Sequence, residues 1–108
     1  MNLTIELQNS SVTNQNWQLS NGKHFNLESN WSSIESFTTN TDYTFNINIY
    51  VNTPSGFIYA KATLNYHFNT NKWSLNTETP KHWLLIERPN TDPILHCFLG
   101  GALPDFTK

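Results

Sequence analysis

Two long segments in the middle of the chain alternate apolar and polar residues with a strict period of two. Successive side chains of a β-strand point to opposite faces, so this period is typical of strands with one buried face. A turn sequence with Pro54 and Gly56 separates the segments, which predicts a long β-hairpin. The apolar positions are Tyr43, Phe45, Ile47, Ile49 and Val51 in the first segment and Ile58, Ala60, Ala62, Leu64, Tyr66 and Phe68 in the second.

Shorter alternating segments flank this hairpin on both sides. Asn21-Gly22 lies between two of them and is typical of a hairpin turn. We expect an edge strand around Ile34 and Phe37, and a loop over residues 88–93. The other predicted strands cover residues 3–7, 17–19, 25–27, 73–77, 82–87 and 94–99.

No part of the chain shows the apolar spacing of an amphipathic helix. About seven to nine short strands in a chain of 108 residues predict an all-β fold. We expect a single-domain antiparallel β-sandwich over residues 1–108, with a small barrel as the second choice.

The charge of the chain limits its partners. Only 13% of residues are charged, the net charge is −2, and the six basic residues are scattered singly, which argues against nucleic acid. The chain has no apolar run of 18 residues and no charged segment followed by an apolar one at its start. We therefore expect cytoplasmic synthesis without a signal peptide.

The residues that carry most enzyme chemistry do not form a recognisable pattern. His96 and Cys97 are adjacent, so on a strand they point to opposite faces and cannot form a dyad. Cys97 shares its face with Leu95 and Leu99, which predicts an inert core thiol. The histidines lack ligand spacing, the acidic residues are isolated, and the glycines fit no phosphate loop. We expect no catalytic residue, no metal site and no cofactor.

Aromatic residues make up 14% of the chain and suggest where it binds. Phe45, Tyr66, Phe68 and Trp73 are expected to point into the core. Other rings fall on the polar face of the hairpin or in polar segments, where they can stack on sugars or enter a membrane interface. Alternatively, another loop or a dimer partner covers these rings. The candidate ligand-binding residues are Trp31, Tyr50, Phe57, Tyr59 and Trp83.

The N-terminal two thirds of the chain resembles the aegerolysin family. From about Glu78 onward the sequence departs from the family's pattern, with Thr79-Pro80 and Gly100-Gly101 in the regions concerned. The resemblance implies a β-sandwich that binds membrane lipid, is released without a signal peptide, and often acts with a larger pore-forming chain. It rests on Leu3-Thr4-Ile5-Glu6-Leu7, Asn9-Ser10-Ser11, Gln18-Leu19-Ser20-Asn21-Gly22-Lys23, Trp31-Ser32-Ser33-Ile34, Gly56 and Thr63-Leu64-Asn65-Tyr66.

The leading functional hypothesis is a non-enzymatic, cytolysin-like toxin that binds membrane lipid. Because the net charge is negative, its lipid would carry a zwitterionic or neutral head group. A small lectin is the first alternative, with Asp42, Asp92 and asparagines bonding a glycan. A protein-binding inhibitor or immunity protein is the second. A homodimer through an uncharged sheet face is compatible with all three.

Overall fold

The computed structural model describes residues 2–88 and 91–101. Within these ranges the chain forms nine β-strands and one 3₁₀ turn (Pro80–His82), without an α-helix, so the all-β prediction is confirmed. The strands are β1 (Asn2–Asn9), β2 (Gln15–Leu19), β3 (His24–Leu27), β4 (Ser32–Thr38), β5 (Tyr43–Thr53), β6 (Gly56–His67), β7 (Lys72–Asn76), β8 (Trp83–Arg88) and β9 (Thr91–Cys97).

The strands form two sheets. The first sheet has the order β4-β1-β9-β8 and the second has the order β3-β2-β5-β6-β7. All neighbours are antiparallel except β1 and β9, which run parallel from Glu6 opposite Ile94 to Asn9 opposite Cys97. The expectation of purely antiparallel pairing is therefore wrong at this pair. Parallel neighbours need a long connection, and here almost the whole chain lies between the two strands.

The predicted hairpin of β5 and β6 is present. Its cross-strand pairs run from Tyr43 opposite Tyr66 to Thr53 opposite Gly56. Gly56 has φ +126°, a backbone conformation that favours glycine. The Asn21-Gly22 turn also joins an antiparallel pair, β2 and β3, as predicted.

The predicted loop over residues 88–93 is shorter in the structure. β9 already begins at Thr91, and Pro93 lies inside it, while residues 89 and 90 are outside the described ranges. The register between β8 and β9 shifts between Ile86 and Arg88, in the stretch opposite Pro93. Proline is tolerated at such irregularities because it has no N–H for a regular ladder.

Both sheets contribute their inward side chains to one core cluster. The predicted core residues Phe45, Tyr66 and Trp73 are buried, whereas Phe68 is only half-buried. Rings connect the sheets: Phe37 of β4 lies edge-on to Phe45 of β5, with centroids 5.8 Å apart. The core therefore consists largely of leucine, isoleucine and aromatic residues from opposite sheets.

The last residue of β1, Asn9, and the first residues of the turn after it, Ser10 and Ser11, have buried side chains. Asn9 Nδ2 donates to the carbonyl oxygens of Thr13 and Leu27, at 2.8 Å each. Asn9 Oδ1 accepts from the Ser11 amide at 2.9 Å and from the Ser11 hydroxyl at 2.7 Å. The amide thus uses two donors and two acceptor positions, which is its full capacity. It fastens the β1–β2 turn to the end of β3.

A second buried amide connects the two sheets. Gln15 Nε2, on β2, donates to the carbonyl oxygens of Cys97 and Leu99, at 3.1 and 2.8 Å. Gln15 Oε1 accepts from Trp17 Nε1 at 2.9 Å. This side chain therefore holds the end of β9 against the second sheet.

Candidate functional site

Tyr50, Phe57 and Tyr59 form one cluster, which we call the ring patch. Tyr50 lies opposite Tyr59 across the hairpin, and their ring centroids are 6.1 Å apart. Phe57 lies 5.6 Å from Tyr50 and 6.2 Å from Tyr59. Phe57 and Tyr59 are 60% and 59% exposed. These three candidate residues therefore lie together on the outer face of the second sheet.

The opposite face of the hairpin end is also apolar and accessible. Ile58 was expected in the core, but it is 40% exposed and lines a groove beside the hairpin turn. Residues 43–60 contain no Asp, Glu, Lys, Arg or His. The hairpin end is thus uncharged, with rings on one face and Ile58 on the other.

Other exposed apolar residues lie at the same end of the molecule. The backbone N–H of Asn9, where β1 ends, donates to the Trp31 carbonyl at 2.9 Å, and Val12 follows Asn9 closely in the chain. A groove of about 700 Å³ separates this region from the hairpin end, with Thr13 on one side and Ile58 on the other. We call this the ring end, defined by Val12, Trp31, the β5–β6 turn and the ring patch.

Trp31 is 59% exposed, as predicted, but it is not part of the ring patch. None of the ring pairs among residues 2–88 and 91–101 includes it. It is placed at the ring end by the loop between β3 and β4.

Trp83 is not a surface residue, so its expected exposure is wrong. It is only 6% exposed and lies edge-on to Trp17, with ring centroids 6.2 Å apart. Trp83 opens β8 opposite Cys97, and both side chains point inward. Its indole nitrogen has no hydrogen-bond partner within the described part of the chain. Trp83 therefore joins the two sheets in the core and cannot contact a ligand from outside.

A polar cleft of about 860 Å³ adjoins the ring patch. Its floor is the outer face of β6, and its wall is the end of β7 with the segment that follows it, residues 76–79. The Thr77 hydroxyl donates to the Lys61 carbonyl at 2.7 Å and holds this wall against the strand. The cleft is lined among others by Asn48, Tyr59, Lys61, Asn76 and Glu78. Apart from Tyr59, these residues were not predicted as site residues.

Polar side chains on the outer face of the second sheet fall into two groups. Outside the cleft, many bond each other across strands, such as Thr44 with Asn65 at 2.7 Å and His67 with Ser74 at 2.9 Å. In the cleft, five side chains have no hydrogen bond or ion pair within the described residues: Asn48, Tyr59, Lys61, Asn76 and Glu78. The first group stabilises the sheet, and the second is available to a ligand.

The acidic residues suggested for sugar binding lie away from the ring patch. Asp42 precedes the opposite end of the hairpin, where its Oδ1 accepts from the Phe68 amide at 2.8 Å. Asp92 lies on β9 in the other sheet. Neither can bind a glycan that stacks on the ring patch, so this part of the lectin hypothesis is wrong.

Cys97 and Ser10, the two side chains that could act as nucleophiles beside a histidine, are both buried. Burial raises the pKa of the Cys97 thiol to about 12, which keeps it protonated at neutral pH. Ser10 Oγ lies 2.8 Å from His96 Nδ1, but Ser10 is buried and closed to substrate. Burial is the largest cause of the lowered pKa of His96; the negative charge of Glu6 opposes this shift, and the positive charge of Arg88 adds to it. Residues 2–88 and 91–101 contain no group of three metal-ligating side chains.

Comparisons of the chain with protein-family models, with curated proteins and with solved structures find no match. No helix in the described part of the chain has the length and apolarity needed to cross a membrane.

Proposed function

We propose that this protein is a non-enzymatic membrane-binding protein whose ring end enters the interfacial layer of a lipid bilayer. The observation that carries the proposal is the uncharged hairpin end, which exposes Phe57 and Tyr59 on one face and Ile58 on the other. A hairpin that binds a rigid, flat partner protein would need apolar side chains on only one of its two faces. An apolar tip with two accessible faces suits insertion into a layer that surrounds it.

The chemistry of the tip suits the membrane interface. Tyrosine is stable there because its ring is apolar and its hydroxyl stays hydrated. Moving a partly exposed Phe or Ile side chain out of water contributes about 1–2 kcal/mol, since full burial is worth about 1.5–3 kcal/mol. The net charge of −2 gives no general attraction to anionic lipid. Attachment therefore depends on apolar contact and a zwitterionic or neutral head group.

A two-layer β-sandwich in a single domain over residues 1–108 is the architecture that we propose to hold this tip. It is supported by the two sheets, their shared core and the buried amides that connect them. The resemblance of the N-terminal two thirds to the aegerolysins supports the same fold and an action as a lipid-binding cytolysin component.

Flotation with liposomes tests membrane attachment. We expect the protein to float with neutral or zwitterionic vesicles at both low and physiological salt. The double variant Phe57→Ser with Ile58→Ser is expected to weaken partitioning by about thirtyfold to a thousandfold, because it removes about 2–4 kcal/mol of apolar contact. Both side chains are exposed, so the variant should fold normally.

Ile34→Ser is the matched control. Ile34 is 62% exposed, but it lies on β4, opposite Glu6 on the first sheet, and not on the hairpin of the second sheet. We expect it to float like the wild type. The proposal is wrong if no vesicle composition binds the protein, or if the tip variant and the Ile34 variant bind equally well. In either case a search for a protein partner takes precedence.

A further inference from the structure

We infer that the polar cleft beside the ring patch binds a saccharide, with one sugar ring stacked on Tyr59 and its hydroxyls bonded by the unpaired side chains of the cleft. This goes beyond membrane attachment and does not depend on it. The two proposals share Tyr59, but the membrane test changes only the tip residues Phe57 and Ile58, whereas the cleft also uses residues farther along β5 and β6 and at the end of β7 and beyond it.

The first argument is that the cleft side chains have no partners of their own. Asn46 accepts from the Thr63 hydroxyl at 2.8 Å, so that part of the sheet satisfies itself. Asn48, two residues after Asn46 on the same face of β5, has no such bond. The side chain of Lys61, opposite Asn48 on β6, has none either. Asn76 and Glu78 bring two further unpaired groups from the wall. Polar groups that converge in a cleft without satisfying one another are typical of a ligand site.

The second argument is the mixture of donors and acceptors. Lys61 only donates, the Glu78 carboxylate only accepts, and the amides of Asn48 and Asn76 do both. A phosphate or another anion would need donors alone and would be repelled by Glu78. A cation would be repelled by Lys61. Sugar hydroxyls donate and accept at once, so a saccharide matches the set.

The third argument is the ring beside these groups. Tyr59 is 59% exposed and lines the cleft, and its hydroxyl has no partner within the described residues. The negative face of an aromatic ring attracts the weakly positive C–H face of a sugar. A stacking ring next to mixed amide and charged groups is what a sugar with one apolar face and several hydroxyls requires.

The cleft is held open before any ligand arrives. Its floor, β6, is paired on both sides, with β5 and with β7. Its wall is fixed to the floor by the Thr77 hydroxyl, which donates to the Lys61 carbonyl and accepts from the Thr79 amide at 3.1 Å. A volume of about 860 Å³ is sufficient for a short oligosaccharide. Preorganisation limits the entropy lost on binding.

The saccharide can come from two sources, a glycolipid head group or a soluble glycan. The chemistry in the cleft is the same for both. Because the cleft adjoins the ring patch, a glycolipid in a membrane that contacts the ring end would present its head group to the cleft.

A glycan array probed with the purified protein tests the inference, followed by calorimetric titration of the best oligosaccharide. We expect Tyr59→Ala to abolish detectable binding and Tyr59→Phe to retain most of it, because the ring remains. Asn48→Ala and Asn76→Ala are each expected to weaken binding about three- to tenfold, the usual effect of one lost hydrogen bond. Asn65→Ala is the control, since Asn65 lies on the same face but bonds Thr44 and does not line the cleft.

Binding measured with glycolipid vesicles, free head-group sugar and sugar-free vesicles distinguishes the two sources of the saccharide, and it also distinguishes this inference from the membrane proposal. Equal binding to glycolipid vesicles and to the free head-group sugar indicates that the cleft alone recognises the glycan. Tighter binding to the vesicles, reduced by Phe57→Ser with Ile58→Ser, indicates a glycolipid. The inference is overturned if no glycan on the array binds, or if Asn48→Ala and Asn76→Ala both bind like the wild type. Flotation with sugar-free vesicles would then still report on the membrane proposal alone.

Discussion

Replacing Asn9 with alanine is expected to lower the free energy of unfolding by about 3–5 kcal/mol. The substitution removes the amide that bonds Thr13, Leu27 and Ser11, and it leaves backbone groups buried without partners. Each unsatisfied buried group costs about 1–3 kcal/mol. The Ser11 hydroxyl keeps its bond to the Thr13 carbonyl at 2.9 Å, which limits the total. For a domain of this size such a loss is a large share of the stability.

Urea unfolding followed by circular dichroism measures this effect. Asn26→Ala is the matched control, because Asn26 bonds Asn16 at 3.0 Å on the exposed face of β3 and should change stability by less than about 0.5 kcal/mol. Asn9→Asp keeps the acceptor but places a carboxylate against the two carbonyls, so it should cost as much as alanine. Equal stability of the Asn9 and Asn26 variants would show that the buried amide does not hold the turn.

Trp17→Ala is the second substitution with a large expected effect, a loss of about 3–5 kcal/mol. Trp17 is fully buried, stacks with Phe25 at 6.2 Å between centroids and meets Trp83 edge-on. Its removal opens a cavity between the sheets and leaves Gln15 Oε1 without its donor. Trp17→Phe keeps an aromatic ring in the core but removes the hydrogen bond to Gln15. It is expected to lower the free energy of unfolding by about 1–3 kcal/mol, less than Trp17→Ala.

Thermal and urea unfolding of these variants should be compared with Trp31→Ala. Trp31 is exposed at the ring end, and its removal should change stability by less than about 0.5 kcal/mol. A Trp31 variant as unstable as the Trp17 variant would contradict the assignment of Trp17 to the core and Trp31 to the surface.

The period-two alternation predicts the elements that depend on neighbouring residues. The β5–β6 hairpin, the Asn21-Gly22 turn and the edge strand β4 are present because alternation and turn chemistry act locally. The ring patch was predictable for the same reason, since residues 57 and 59 share a face and residue 50 lies across the hairpin.

Features that depend on distant segments were not predictable. Alternation is the same in parallel and antiparallel strands, so it contains no sign that β1 lies parallel to β9. Trp83 was a candidate surface ring because periodicity does not show which face of an apolar strand is covered. Asn48 and Asn65 occupy equivalent polar positions of the hairpin in the sequence. Asn48 lines a cleft and Asn65 does not, because the segment 76–79 forms a wall beside Asn48. Asn9 and Gln15 are ordinary polar residues until the fold buries them.

The parallel pairing of β1 with β9 sets an order for folding during synthesis on the ribosome. All strands of the second sheet have been made once residue 76 is complete, and its hairpins need only nearby partners. The centre of the first sheet must wait for residues 91–97, so β1 lacks one neighbour until then. Pairing across such a separation is slow. Until β8 and β9 have been made, the first sheet covers the apolar inner face of the second sheet only in part. This is the stage at which chaperones would protect the nascent chain from aggregation.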